Sequence, residues 1–255
     1  MVEVVSAEII SDGATTTPAH LLYEIVRKLP EGAQIEITTD KENSQITIKS
    51  GRSKFSLPCL SKEEFPVVSN ESLPHNFGIS SKILKKLLDK TRFAISTEET
   101  RYYLNGVYFH KPDTDSPVLR SVATDGHRLA YTESSLPEGA SDFPSVIVPR
   151  KAVSELRRLL DNIDDDIKVS LSDSQIRFNL GATTITTKLI DGTFPDYQRV
   201  IPEQNNKLMK INRSEFVAAV DRVSTISTEK SRAIKLSIES NMMKISANSA
   251  DAASA

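Results

Sequence analysis

The chain repeats itself at long range. Ser44-Gln45-Ile46 recurs as Ser174-Gln175-Ile176, and Gly51 follows the first triplet at the spacing at which Gly181 follows the second. Phe65-Pro66 matches Phe194-Pro195, and Pro18 and Pro149 each open an apolar-periodic segment. Ser96-Thr97-Glu98, with Arg101 after it, recurs as Ser227-Thr228-Glu229 with Arg232. Gln45 and Gln175 lie 130 residues apart, and the other pairs drift from that register by a residue or so. A period this long is a duplicated domain, since solenoid repeats run roughly 20–50 residues. One whole unit is expected over residues 75–202. Residues 1–72 correspond to the second half of a unit, and residues 207–255 to the first half. The expected order is therefore half, whole, half, as in a piece cut at both ends from a chain of about three units.

Within a unit two periods alternate. Leu21, Leu22, Ile25, Val26 and Leu29 form an apolar stripe at helical spacing. So do Ile83, Leu84, Leu87 and Leu88; then Val153, Leu156, Leu159 and Leu160; then Phe216, Val217, Val220 and Val223. Pro18 and Pro149 sit at helix starts, where the missing N–H costs no hydrogen bond. Ser81 and Asn212 are the candidate N-caps. Alternation with period two predicts strands over residues 34–38, 45–49, 54–57, 102–109, 119–123, 167–171, 175–179, 183–189 and 235–247. Asp113-Thr114-Asp115-Ser116 and Ser172-Asp173-Ser174 read as hairpin turns. Two helices against antiparallel sheets place each unit in the α+β class.

The net charge of −2 gives no overall attraction to nucleic acid, so any such attraction must be local. The helix faces supply it. Lys82, Lys85, Lys86, Lys90 and Arg92 oppose Asp89; Arg150, Lys151, Arg157 and Arg158 oppose Glu155; His20, Arg27 and Lys28 oppose Glu24. The Phe216 helix is balanced, with Arg213 and Arg222 against Glu215 and Asp221. Acidic residues gather at Asp161, Asp164, Asp165 and Asp166, and at Glu98-Glu99. Basic helices of this kind suit a phosphate backbone held without base reading. The plainer alternative is a set of solvated helix faces.

Chemistry finds little footing. There is no phosphate-cradling glycine loop and no His-Glu-x-x-His, and the histidines at 20, 75, 110 and 127 have no metal-ligand spacing. Cys59 is alone, which excludes an intrachain disulfide, suits a reducing cytoplasm and reads as a small core residue. Asp164–Asp166 reads as a solvated turn before a strand rather than a cation site. Asp125 and His127 could be drawn as an acid–base pair for a hydrolase, but no serine or cysteine nucleophile stands nearby. No segment reaches the ~18 apolar residues of a membrane span, and Met1–Ala7 is too short and too poor in positive charge to be a signal peptide.

Five strings carry a resemblance: Gly51-Arg52-Ser53-Lys54-Phe55-Ser56-Leu57, Arg101-Tyr102-Tyr103-Leu104-Asn105-Gly106, Ala123-Thr124-Asp125-Gly126-His127-Arg128-Leu129-Ala130, Val146-Ile147-Val148-Pro149-Arg150-Lys151, and Asp191-Gly192-Thr193-Phe194-Pro195-Asp196-Tyr197. In that order and spacing, over essentially the whole chain, they resemble the bacterial DNA polymerase III beta subunit family, the sliding clamps. The resemblance implies clamp domains in a non-catalytic processivity factor without a cofactor. In it two chains close into a homodimer ring around duplex DNA and tether the polymerase III catalytic subunit, the clamp loader and other clamp-binding proteins. It also implies that this chain lacks the first half of domain one and the second half of domain three. The alternative reading is a truncated remnant that keeps only the docking domain.

Carried over residue by residue, the resemblance implies a partner-peptide site at Leu104, Thr124, Gly126, His127, Arg128, Leu129, Pro195, Arg199 and Val200. It implies DNA contacts at Lys86, Arg101, Tyr102, Tyr103, Arg150 and Lys151. Ring closure would use Ile25, Leu29, Phe55 and Leu57 of one chain against Thr225 and Ile226 of its neighbour. Three departures stand out. Thr97-Glu98 replaces a pair that is often basic or polar, His20 replaces a basic residue, and Thr225 is less apolar than is usual.

Overall fold

The computed structural model describes residues 1–40, 44–66, 72–226 and 233–247. The chain forms two compact units, Met1–Asp196 and Tyr197–Ala255. The expected boundary between residues 72 and 75 therefore falls inside the first unit. That unit runs β1 (Val2–Glu3), α1 (Ala19–Val26), β2 (Glu36–Asp40), β3 (Gln45–Ser50), β4 (Ser53–Pro58), β5 (His75–Ser80), α2 (Ser81–Thr91), β6 (Gly106–His110), β7 (Val118–Thr124), β8 (Leu129–Ser135), β9 (Val146–Pro149), α3 (Arg150–Leu159), β10 (Asp166–Leu171), β11 (Gln175–Leu180) and β12 (Thr183–Lys188). The second unit holds α4 (Arg213–Ser224), β13 (Lys235–Glu239) and β14 (Met242–Ser246).

Every sheet is antiparallel: β1-β12-β11-β10-β5, β8-β7-β6-β9, β2-β3-β4 and the hairpin β13-β14. The repeat predicted from the sequence appears as matched hairpins. Both β3–β4 and β11–β12 turn on a glycine with positive φ, Gly51 at 55° and Gly181 at 62°, a conformation that costs glycine least.

The main core fills the space between the two larger sheets and under α2 and α3. Leu84, Leu87 and Leu88 from α2 meet Val153, Leu156 and Leu160 from the α3 segment, above Ile167, Val169, Val107 and Val148 from the sheets. Each fully buried aliphatic side chain contributes about 1.5–3 kcal/mol. A smaller cluster of Ile46, Ile48 and Leu57 gathers Leu22, Ile25 and Phe55 around it. Cys59 lies half-buried just past β4.

Four expectations need correction. Residues 102–104 are not strand: Glu99–Leu104 is a 3-10 segment, and β6 begins only at Gly106. Local hydrogen bonds outweigh the β-propensity of the tyrosines there. The Ser96 N–H donates to the Leu104 carbonyl, and the Asn105 side chain donates to the Glu98 carbonyl. Ser81 is not a cap but the first helical residue, with its hydroxyl buried and without a partner. Asn212 does cap α4, accepting from the N–H groups of Ser214 and Glu215. The 235–247 strand folds back on itself as β13–β14, with Asn241 at φ 59° in the turn. Leu29 falls beyond α1, which ends at Val26. The repeat partner read at Ser227–Arg232 lies outside the described residues.

Candidate functional site

Three of the strings that carried the resemblance meet at the end of the β8-β7-β6-β9 sheet. The turn from β7 to β8 is Thr124–Leu129. The Thr124 hydroxyl donates to the Arg128 carbonyl at 2.8 Å and accepts from the Gly126 N–H at 3.1 Å. One oxygen of Asp125 accepts from the N–H groups of His127 and Arg128, each at 2.9 Å. The other takes the Arg128 guanidinium at 3.1 Å. Burial pushes the Asp125 carboxyl up, but these hydrogen bonds outweigh it and hold the group below the ordinary carboxylate range. Both oxygens are thus acceptors that shape the turn, which undercuts the acid–base pairing of Asp125 with His127.

The 3-10 segment Glu99–Leu104 packs on this turn. Arg101 makes a two-pronged contact with Glu98, at 2.8 Å and 2.7 Å. Its guanidinium lies over Gly126, where a Cβ would stand 2.5 Å from Nη1. The Arg101 charge, expected to meet DNA, is therefore committed within the fold. Hydrogen bonding to Glu98, joined by the Coulomb attraction of the same carboxylate, raises its pKa further.

Tyr102 and Tyr103 contact each other edge to face, with ring centroids 5.8 Å apart. A Cβ on Gly192 would come within 3.0 Å of the Tyr103 Cβ and 3.4 Å of the Tyr102 ring. The loop carrying Gly192, Phe194 and Pro195 thus rests on the same segment. Tyr102 is 54% exposed, whereas Leu104 is 4% exposed and lies beneath the surface. Half-exposed Leu129 and exposed Pro195 contribute apolar surface on this side. Arg128 also lies 5.7 Å over the ring of exposed Phe93, a neighbour that sequence reasoning missed. Arg199 and Val200 belong to the second unit and are exposed, on the turn Tyr197–Val200, whose Tyr197 is buried.

The helix charges are more neutralised than the sequence implied. Asp161 pairs with Lys85 at 2.7 Å and with Arg157 at 2.8 Å, and Asp164 pairs with Lys82 at 3.5 Å. The acidic loop after α3 runs beside α2 and so is not segregated from the basic face. Asp89 takes Arg157 at 2.5 Å and Arg92 at 3.3 Å. Lys86, Arg150 and Lys151 are exposed and form no ion pair among the described residues.

The residues assigned to ring closure fall into two places. Ile25, Phe55 and Leu57 belong to the small cluster of the first unit, with Leu57 itself 7% exposed, and Leu29 is half-buried nearby in sequence. Thr225 and Ile226 lie in the second unit; the Thr225 hydroxyl donates to the Asp221 carbonyl at 3.1 Å.

Family models for the DNA polymerase III beta subunit match nearly the whole chain: its N-terminal domain at residues 1–69, its central domain at 78–196 and its C-terminal domain at 198–255. The beta sliding clamp of Caulobacter vibrioides is 47% identical over 250 residues, covering 98% of this chain and 67% of that protein. The chain belongs to the beta sliding clamp family. The Escherichia coli K12 clamp is 41% identical over 237 residues, covering 92% of this chain and 63% of the relative. A crystal structure of the Bartonella birtlesii clamp bound to griselimycin superposes with a TM-score of 0.94 at 51% identity, over 99% of this chain and 68% of that one. The Caulobacter crescentus clamp, with polyethylene glycol in a putative beta-motif tethering region, gives 0.92 at 47% identity, over 97% and 66%. This chain thus spans about two thirds of the clamps it matches. Clamps are non-catalytic processivity subunits, in keeping with the turn-shaping role of Asp125. Among the described residues no helix is long and apolar enough to cross a membrane.

Proposed function

We propose that this chain serves as a sliding clamp in the cytoplasm, holding the polymerase III catalytic subunit and other clamp-binding proteins on duplex DNA. In this reading residues 1–72 belong to clamp domain one, 75–202 to domain two and 207–255 to domain three. Partners dock through a short peptide on Thr124, Gly126, His127, Arg128, Leu129 and Pro195, with Leu104 beneath; Arg199 and Val200 are the further residues that the resemblance implies. Lys86, Arg150 and Lys151 face phosphates, and exposed Tyr102, with Tyr103 behind it, offers a ring to a base. Ring closure pairs the Ile25, Leu29, Phe55 and Leu57 surface of one chain with Thr225 and Ile226 of the next. Griselimycin, which the Bartonella clamp binds, is expected to bind this chain as well.

The observation that carries this reading is the seating of Arg101 on Gly126 and of Tyr103 on Gly192, which gathers three distant strings into one surface. The test is a fluorescence-anisotropy titration with a labelled peptide copied from the clamp-binding segment of a polymerase III catalytic subunit. Saturable binding that His127→Ala, Arg128→Ala abolishes supports the docking site. A folded chain that binds the peptide equally well with both changes made would refute it.

A further inference from the structure

A three-ring stack stands on the β8-β7-β6-β9 sheet, on residues that the resemblance did not bring together. Tyr108 sits in the middle. The Phe194 ring stacks on it at 4.6 Å between centroids and 7° between planes, and the His110 ring stacks on it at 4.6 Å and 16°. Alternation along β6 explains the placement. Val107 and Phe109 point into the core, so Tyr108 and His110 share the opposite face of the sheet. β6 is an inner strand. Tyr108 pairs with Val122 on β7 and with Ile147 on β9, so its ring stands on backbone bonded from both sides.

Phe194 belongs to the loop that follows β12. Two backbone bonds hold the start of that loop: the Leu189 N–H donates to the Ser174 carbonyl at 2.8 Å, and the Ile190 N–H to the Ile147 carbonyl at 3.0 Å. Beyond them Thr193 and Pro195 are exposed while Phe194, between them, is 8% exposed. Phe194 thus pegs this stretch of the loop to the sheet, and the next residue is Pro195 of the docking surface.

We propose that Tyr108 is a positioning residue for partner docking: through its stack with Phe194 it fixes Pro195 beside the Thr124–Leu129 turn. This rests on the docking reading above. A binding group must be held by packing from behind to stay in register, and an aromatic pair of this kind is worth enough to do so.

The experiment uses the full chain, the polymerase-derived peptide, and the variants Tyr108→Leu and Tyr108→Phe. Leucine keeps an apolar side chain on the sheet and removes the stack; phenylalanine keeps the stack. Tyr108→Leu is expected to raise the peptide Kd about tenfold, the upper worth of an aromatic pair. Tyr108→Phe is expected to bind as the wild type does. Amide exchange at residues 191–194 should rise in the leucine variant and not in the phenylalanine variant. A folded Tyr108→Leu chain that binds with unchanged Kd overturns the proposal. Should Tyr108→Leu not fold, Phe194→Leu removes the same stack from the loop side, with the same expected and overturning results. Failure of the wild type to bind the peptide would instead remove the docking reading itself, so the two failures are distinguishable.

Discussion

Arg101 and Gly126 are locked together: the guanidinium, held by Glu98, occupies the space that any side chain at 126 would need. Gly126 also has φ +88°, in the left-handed region, so a substitution there meets both a backbone cost and a collision. The two effects are separable. Gly126→Ala is expected to lower stability by about 1–3 kcal/mol. Making the same change in an Arg101→Ala background should cost less, because the collision is gone and only the backbone strain remains. Urea unfolding of the two single variants and the double variant closes the cycle. Strict additivity would show that Arg101 does not press on the turn.

The α2–α3 contact sets the stability of the central core. Leu87 is fully buried. Leu87→Ala is expected to cost about 2–5 kcal/mol in urea unfolding, the range for a large cavity that cannot collapse.

Much of this was legible in the sequence, and the failures have local causes. The helix stripes and the strands on either side of Gly51 and Gly181 follow from periods of 3.6 and 2, so they were found. β8 was missed because Thr132, Glu133, Ser134 and Ser135 dilute its alternation on a partly exposed strand. β5 was missed because Asn76 and Gly78 interrupt it, although its pairing with β10 makes it regular. The site strings could be quoted, but not that Arg101 would spend its charge on Glu98, since a paired and a free arginine look alike in sequence. Tyr108 and Phe194 lie far apart along the chain, and neither carries a local signal that the other is its stacking partner.

His110 reports on acid stability. Its imidazole is pushed down to about 4, chiefly by burial and then by the Arg120 guanidinium, against the opposing pull of the Lys111 backbone and Glu133. Across the sheet His110 pairs with Arg120, and Arg120 with Glu133, to which it is bonded. The folded state therefore binds a proton less readily than the unfolded chain, whose histidine titrates near 6.5. Stability from this group is full above that value and falls as pH drops from about 6.5 towards 4, by on the order of 2–3 kcal/mol in all. His110→Phe keeps a ring in the stack and removes the titration. Its stability should decline less than that of the wild type between pH 6.5 and 4, as read by thermal melting across that window.

Lys86, Arg150 and Lys151 are exposed and have no carboxylate partner among the described residues, so the DNA reading falls on them. Changing all three to alanine should weaken binding to a labelled duplex at low salt. It should also flatten the dependence of log K on log salt concentration by about 0.9 for each phosphate that is no longer neutralised. Arg101→Ala, whose charge is already paired, should change that slope far less. Equal effects from Arg101 and the three exposed cations would contradict the placement.

The most direct measurement is amide hydrogen exchange on the full chain with and without a saturating polymerase III clamp-binding peptide. Protection is expected at the N–H groups of residues 124–129 and in the loop at residues 191–194, where Gly126 meets Arg101 and Gly192 meets Tyr103. Protection confined to other parts of the chain, with these two segments unchanged, would contradict docking at this surface.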